Sequence, residues 1–126
     1  MLSVMDTSIL IAERPGSIEG EIAISIVSIA ELQFGVLVAA DGDSRARRLA
    51  RLSAILRSFE PLPVDPVVAS SYGEIAAATH RAGRKTGARS LDLMIAATAH
   101  AHGARLVTAN VEDVRHLGEL LEIVQG

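Results

Sequence analysis

At 126 residues, 13.3 kDa and 49% hydrophobic content, the chain fits one packed domain and is too apolar to remain disordered. The absence of cysteine excludes a disulfide scaffold, a zinc–cysteine site and thiol catalysis, and 2% aromatics without Trp argue against a base-stacking platform for single-stranded nucleic acid. A formal net charge of −3 is unusual for a nucleic-acid binder, but a net figure conceals where the charges lie.

Leu2 to Met5 is an apolar run entering Asp6-Thr7-Ser8 and reads as a buried strand leading into a turn. Ile9 to Glu13 reads as a brief helix stopped by Arg14-Pro15-Gly16. Ile22 to Val27, rich in β-branched residues, predicts a second strand. Ser28-Ile29-Ala30-Glu31 then matches a capping box opening a helix to about Ala40. This stretch is the longest apolar one, but Ser25, Ser28, Glu31 and Gln33 interrupt it. A charge near the centre of a membrane span costs about 3 kcal/mol, so a strand and a helix are expected rather than a crossing. Met1 to Asp6 lacks the basic region of a secretory signal, and a cytoplasmic protein is the expectation.

Asp41-Gly42-Asp43-Ser44 ends that helix and caps the next, where Leu49, Leu52, Ile55 and Leu56 recur at helical spacing. Phe59 to Val64 contains two prolines and predicts a short strand at a sheet edge. Pro66 suits the first turn of an Ala-rich helix reaching about Gly83. Arg84 to Arg89 reads as a basic loop, and Ser90 as the cap of an apolar helix closed by Gly103. Arg105 to Ala109 is a strand, Val111 to Leu117 a short helix and Leu121 to Gln125 a last strand. This alternation predicts an α/β fold: residues 1–126 as one three-layer α/β/α domain, with a central, mostly parallel sheet of about five strands. Ligands of such sheets bind beyond the carboxyl ends of the strands.

Four acids fall at those ends. Asp6 follows the first strand, Glu31 lies one turn into the helix after the second, Asp92 opens the helix after the basic loop, and Asp113 follows Leu106-Val107-Thr108-Ala109-Asn110. Singly, each has a role at a helix start worth about 0.3–1 kcal/mol. Together they demand more. Carboxylates about 4 Å apart repel by up to about 4 kcal/mol at an effective dielectric of about 20. Several such pairs would rival a domain's whole stability of about 5–15 kcal/mol. A divalent cation relieves that repulsion, and an all-oxygen site suits Mg²⁺ or Mn²⁺. Such a site favours phosphodiester chemistry. Asp6 and Asp92 are expected as direct ligands, Glu31 and Asp113 as holders of a second ion or of waters. Thr108 and Asn110 would support the acids or the scissile phosphate.

These pieces resemble the PIN-domain ribonucleases, specifically VapC-like toxins of toxin–antitoxin pairs. The resemblance is carried by Asp6-Thr7-Ser8, Ser28 to Leu32 with Gly35, Asp92 to Ala99, and Leu106 to Asn110 with Asp113, in family order over almost the whole chain. It implies a PIN-like fold, a Mg²⁺-dependent endoribonuclease acting on tRNA or another structured RNA, a homodimer, and inhibition by a VapB-like antitoxin. Val114 departs from the Phe that often follows the fourth acid. That position falls to Asp113 or Asn110, and we take Asp113.

Of 12 Lys and Arg, five lie between Arg45 and Arg57 and four between Arg81 and Arg89. Arg84, Lys85 and Arg89 lead directly to Asp92 and are the expected contacts to an RNA backbone. The four histidines are expected in surface or structural roles. Two other readings are a phosphorelay receiver with Asp65 as acceptor, and a PIN-like scaffold that binds RNA or a partner without cleaving. The receiver reading lacks an acidic pair at the first strand, and the chain has no Gly-rich dinucleotide fingerprint.

Overall fold

The computed structural model describes residues 1–12 and 18–126, so the expected Arg14-Pro15-Gly16 stop lies outside the described residues. Strands β1 (Leu2–Met5), β2 (Glu21–Ile24), β3 (Arg105–Thr108) and β4 (Ile123–Gln125) form one parallel sheet in the order β2-β1-β3-β4. The helices are α1 (Thr7–Leu10), α2 (Ile26–Leu37), α3 (Gly42–Ser58), α4 (Pro66–Arg81), α5 (Ser90–Ala101) and α6 (Val111–Val114).

Successive strand residues point to opposite faces, and both faces are covered. Val4 and Leu106, paired across β1 and β3, join Val68, Ile75, Leu93 and Leu117 on the α4–α5 side. Met5 and Val107, the next pair, join Ile9, Ile24, Leu32, Val36, Leu52 and Ile55 on the α1–α3 side. The result is the expected three-layer α/β/α fold. Ala96, Ala97 and Ala99 are fully buried on α5, where small side chains let α4 pack closely along it.

Among the described residues the sheet has four strands rather than about five. The segment expected as a fifth makes a single bridge: Leu62 donates to the Ile24 carbonyl (2.8 Å) and accepts from the Ile26 amide (2.9 Å). Pro61 and Pro63 flank it and have no N–H to extend a ladder.

Three helix starts differ from the expected ones. β2 ends at Ile24, and Ser25 caps α2 by accepting from the Val27 amide (3.0 Å). Ser28 is therefore inside the first turn and fully buried, and no Ser28–Glu31 capping box forms. At α5, a 3₁₀ turn over Gly87–Arg89 places Arg89, not Ser90, at the cap position, with no side-chain cap bond. At α1 the cap is Asp6 itself. Asp41 and Asp65 cap α3 and α4 by accepting from Ser44 (2.7 Å) and Val68 (2.9 Å), and Pro66 occupies the first turn as expected. On α3 only Leu52 and Ile55 face the core, while Leu49 and Leu56 remain about half exposed. No helix of the described residues is long and apolar enough to cross a membrane.

Candidate active site

The parallel sheet brings the turns after β1 and β3 together. The Asp6 amide extends the strand pairing to the Val107 carbonyl (3.0 Å). Asp6 then turns the chain into α1, its Oδ1 accepting from both the amide (3.0 Å) and the hydroxyl of Ser8. The same Ser8 Oγ accepts from the Ala109 amide (3.0 Å), so one hydroxyl joins the two turns. On the β3 side, Thr108 is buried and its Oγ1 accepts from the Asn110 amide (3.0 Å). That contact shapes the turn into α6, which carries Asp113.

Asp6, Asp92 and Asp113 meet in a narrow cleft of about 50 Å³, lined also by Ser8, Arg89 and Asn110 and floored by Leu93 and Leu106. Asp92 is exposed as a residue and lines the cleft. Its pKa is raised above the ordinary 3.8, first by loss of water and then by the Asp6 charge; Asp113 adds to the rise and Arg89 opposes it. Asp113 Oδ1 lies 3.1 Å from Arg89 Nη1.

The fourth acid stands next door. Glu31 lines a separate, mostly apolar groove of about 810 Å³ between α2 and α3. Thr7 Oγ1 donates to Glu31 Oε1 (2.7 Å) and lies 3.0 Å from Ser28 Oγ, which supplies the proton of that second contact. Through Thr7, Glu31 is attached to the residue that follows Asp6. Among the described residues, no three Asp, Glu or His side chains stand ready to grip one ion together. Local bonds hold them: Ser8 on Asp6, Thr7 on Glu31, Arg89 on Asp113.

The three expected RNA-contacting cations are placed differently from one another. Arg84 donates to the Glu112 and Asp113 carbonyls (3.3 Å each), satisfying the end of α6 rather than extending freely toward a ligand. Lys85 is exposed in the preceding turn, and Arg89 is in the cleft. In the second basic stretch, Arg48 and Arg51 brace the carbonyls of Gly35 (2.6 Å) and Ile11 (3.2 Å).

His116 and His100 bond within the structure. His116 Nε2 donates to Thr79 Oγ1 (2.9 Å), because the Thr79 proton already goes to the Ile75 carbonyl. Burial, then the charges of Arg84 and Arg89, hold this imidazole below its ordinary pKa. His100 meets Ser71 Oγ (2.9 Å) and lies 3.6 Å from Glu74. Asp65, as the cap of α4, stands outside the cleft.

Thr7 and Ser8 are the residues whose roles sequence reasoning missed. The signal is two hydroxyls directly after an acid at a strand end. Ser8→Ala removes the bond to Ala109 and one of the two to Asp6, and is expected to cost about 1 kcal/mol. Urea unfolding of the variant measures it, and an unchanged midpoint would show that Ser8 does not join the turns.

An acid-lined cleft at the carboxyl edge of a parallel, three-layer sheet is the arrangement of a PIN domain, and the PIN domain profile matches residues 3–120. Ribonuclease VapC5 of Mycobacterium tuberculosis is 37% identical over 111 residues, covering 83% of this chain and 80% of the relative. The tRNA(fMet)-specific endonuclease VapC of Shigella flexneri is 30% identical over 127 residues, covering 93% and 92%. The crystal structure of VapBC-5 from Mycobacterium tuberculosis, a member of the VapBC family of toxin–antitoxin systems, superposes with a TM-score of 0.87. That match has 34% identity over 99% of this chain and 98% of the other. The chain belongs to the VapC ribonucleases within the PIN-domain family.

Proposed function

We propose that residues 1–126 form a metal-dependent endoribonuclease domain, the toxin of a VapBC-like pair, which hydrolyses phosphodiester bonds in RNA. One observation carries this reading: three carboxylates share a cleft in which loss of water and the neighbouring Asp6 charge already raise the pKa of Asp92. The donor chemistry fits Mg²⁺ or Mn²⁺. Mg²⁺ is commonly held by only one or two carboxylates plus waters and phosphate oxygens, so Asp6 and Asp92 suffice as direct ligands. When bound, the ion supplies Lewis acidity at the phosphoryl group and lowers the pKa of the attacking water.

The chain does the rest. Ser8 fixes Oδ1 of Asp6, a residue of the cleft lining. Asp113 and Glu31 hold waters or a second ion, Glu31 from its anchored position on Thr7. Asn110 offers its amide to the acids or to the scissile phosphate, on a backbone fixed by Thr108. Lys85 and Arg89 face the RNA backbone, while Arg84 contributes by holding α6 in place.

The name of the Shigella relative supports tRNA, or another structured RNA, as substrate. The VapBC family of the matched structure supports a VapB-like antitoxin as partner. The α2–α3 groove, bordered by the exposed Phe34, is the surface we assign to it, because a solvent-facing aromatic beside an apolar channel favours a protein partner. Homodimerisation and a cytoplasmic location complete the reading.

Purified protein incubated with a tRNA pool is expected to cleave it in Mg²⁺ or Mn²⁺ and to stop in EDTA. Cleavage that persists in EDTA would sink the metal reading. Folded protein that cleaves no RNA under any condition would favour the non-catalytic scaffold.

A further inference from the structure

Arg89 occupies a position that helix physics disfavours. At the residue before α5, a Ser, Thr, Asp or Asn would accept an amide hydrogen bond and stabilise the helix start. The Arg89 side chain makes no such bond. Its positive charge also sits at the positive end of the α5 dipole, which is a further cost. What opposes these costs is the acid cluster: Nη1 is 3.1 Å from Asp113 Oδ1, in a cleft shared with Asp6 and Asp92. A residue that is locally unfavourable and lies among site groups points to a functional constraint.

The attachments of the two neighbouring arginines differ in kind. Arg84 holds peptide carbonyls, which belong to α6 whether or not an ion is bound. Arg89 holds a carboxylate, which a stronger cation can claim. The two side chains of that pair are 40% and 46% exposed. An ion pair so open to water is weak, so its exchange is easy.

We propose that Arg89 is a positioning residue that holds Asp113 as the resident counter-ion of the cleft and yields it in exchange for a divalent cation. The inference rests on the metal-dependent reading above. It accounts for the acids being grouped yet not poised to grip an ion together: one of the three is held by an internal cation.

The test is Mn²⁺ uptake by RNA-free protein, read from the electron paramagnetic resonance signal of the free ion. Wild type, Arg89→Gln and Arg89→Lys are compared, with circular dichroism confirming that each is folded. Removing one positive charge within several ångströms of the ion, and freeing Asp113, should tighten Mn²⁺ binding about 3- to 10-fold in Arg89→Gln. Arg89→Lys keeps the charge and should stay close to wild type. A purely structural role for Arg89 would loosen binding instead. Wild type that binds Mn²⁺ with Arg89→Gln binding it no tighter, or Arg89→Lys matching Arg89→Gln, overturns the exchange alone. Wild type that takes up no Mn²⁺ overturns the metal reading and this inference with it.

Discussion

Asp92→Asn is expected to silence RNA cleavage and, without divalent cation, to make the protein more stable. With Asp92 as the proposed direct ligand, its loss should lower activity by about 10²-fold or more, since even groups that only support a ligand are worth 10- to 100-fold. The stability gain comes from electrostatics. The cleft raises the Asp92 pKa by withholding water and by the Asp6 and Asp113 charges, with Arg89 opposing. A carboxyl raised by folding contributes its full stability below the unfolded value of 3.8, and loses it as pH rises through the higher folded value. At pH 7 the wild type therefore carries an ionised group that the fold disfavours, and Asn removes it. Because the residue is exposed, solvent screens the effect, and the gain should not exceed about 1 kcal/mol. Thermal melts in EDTA should show the variant ahead at pH 7 and level with wild type below about pH 4. Saturating Mg²⁺ should narrow the gap by stabilising wild type more. A variant less stable than wild type at pH 7 in EDTA would refute the proposed strain among the carboxylates.

Features set by local chemistry were legible in the sequence. The apolar run ending at Asp6 marked β1, the apolar run Leu106 to Ala109 marked β3, and Pro66 marked the first turn of α4. The alternation of strands and helices was enough to place Asp6, Asp92 and Asp113 at one edge of a sheet. Features set by distant partners were not legible. Ser25 and Ser28 are equally good caps by composition, and the choice falls to Ser25 because the Leu62 bridge fixes the end of β2. Glu31 reads as a capping-box acid until Thr7, 24 positions away, is seen to bind it. Arg84 and Arg89 read as one basic patch, yet one satisfies a helix end and the other pairs with an acid, both across long sequence separations. Net charge was the least informative quantity, because acids and bases that separate along the chain meet again in the cleft.

The largest stability effect is expected at Leu106, under the cleft rather than in it. Leu106 lies in β3, with 1% of its surface exposed, opposite Val4 of β1 and Ile123 of β4. It shares a core with Val114, Leu117 and Leu121, and so anchors both the sheet and the segment that presents Asp113. Leu106→Ala removes three heavy atoms where β1 and β4 fix the backbone on both sides, leaving little room to collapse. The expected loss is about 2–5 kcal/mol, against a typical total of about 5–15 kcal/mol. Equilibrium urea unfolding should show the midpoint falling accordingly. Leu56→Ala is the control: the same atoms are lost from a residue 48% exposed on α3, and the change should stay within about 0.5 kcal/mol. Because Leu106 forms the floor beneath the cleft, the variant should lose RNA cleavage faster than it loses helix signal as temperature rises, whereas Leu56→Ala should keep the two together. Equal losses for the two variants would mean that β3 is not the centre on which this fold and its cleft depend.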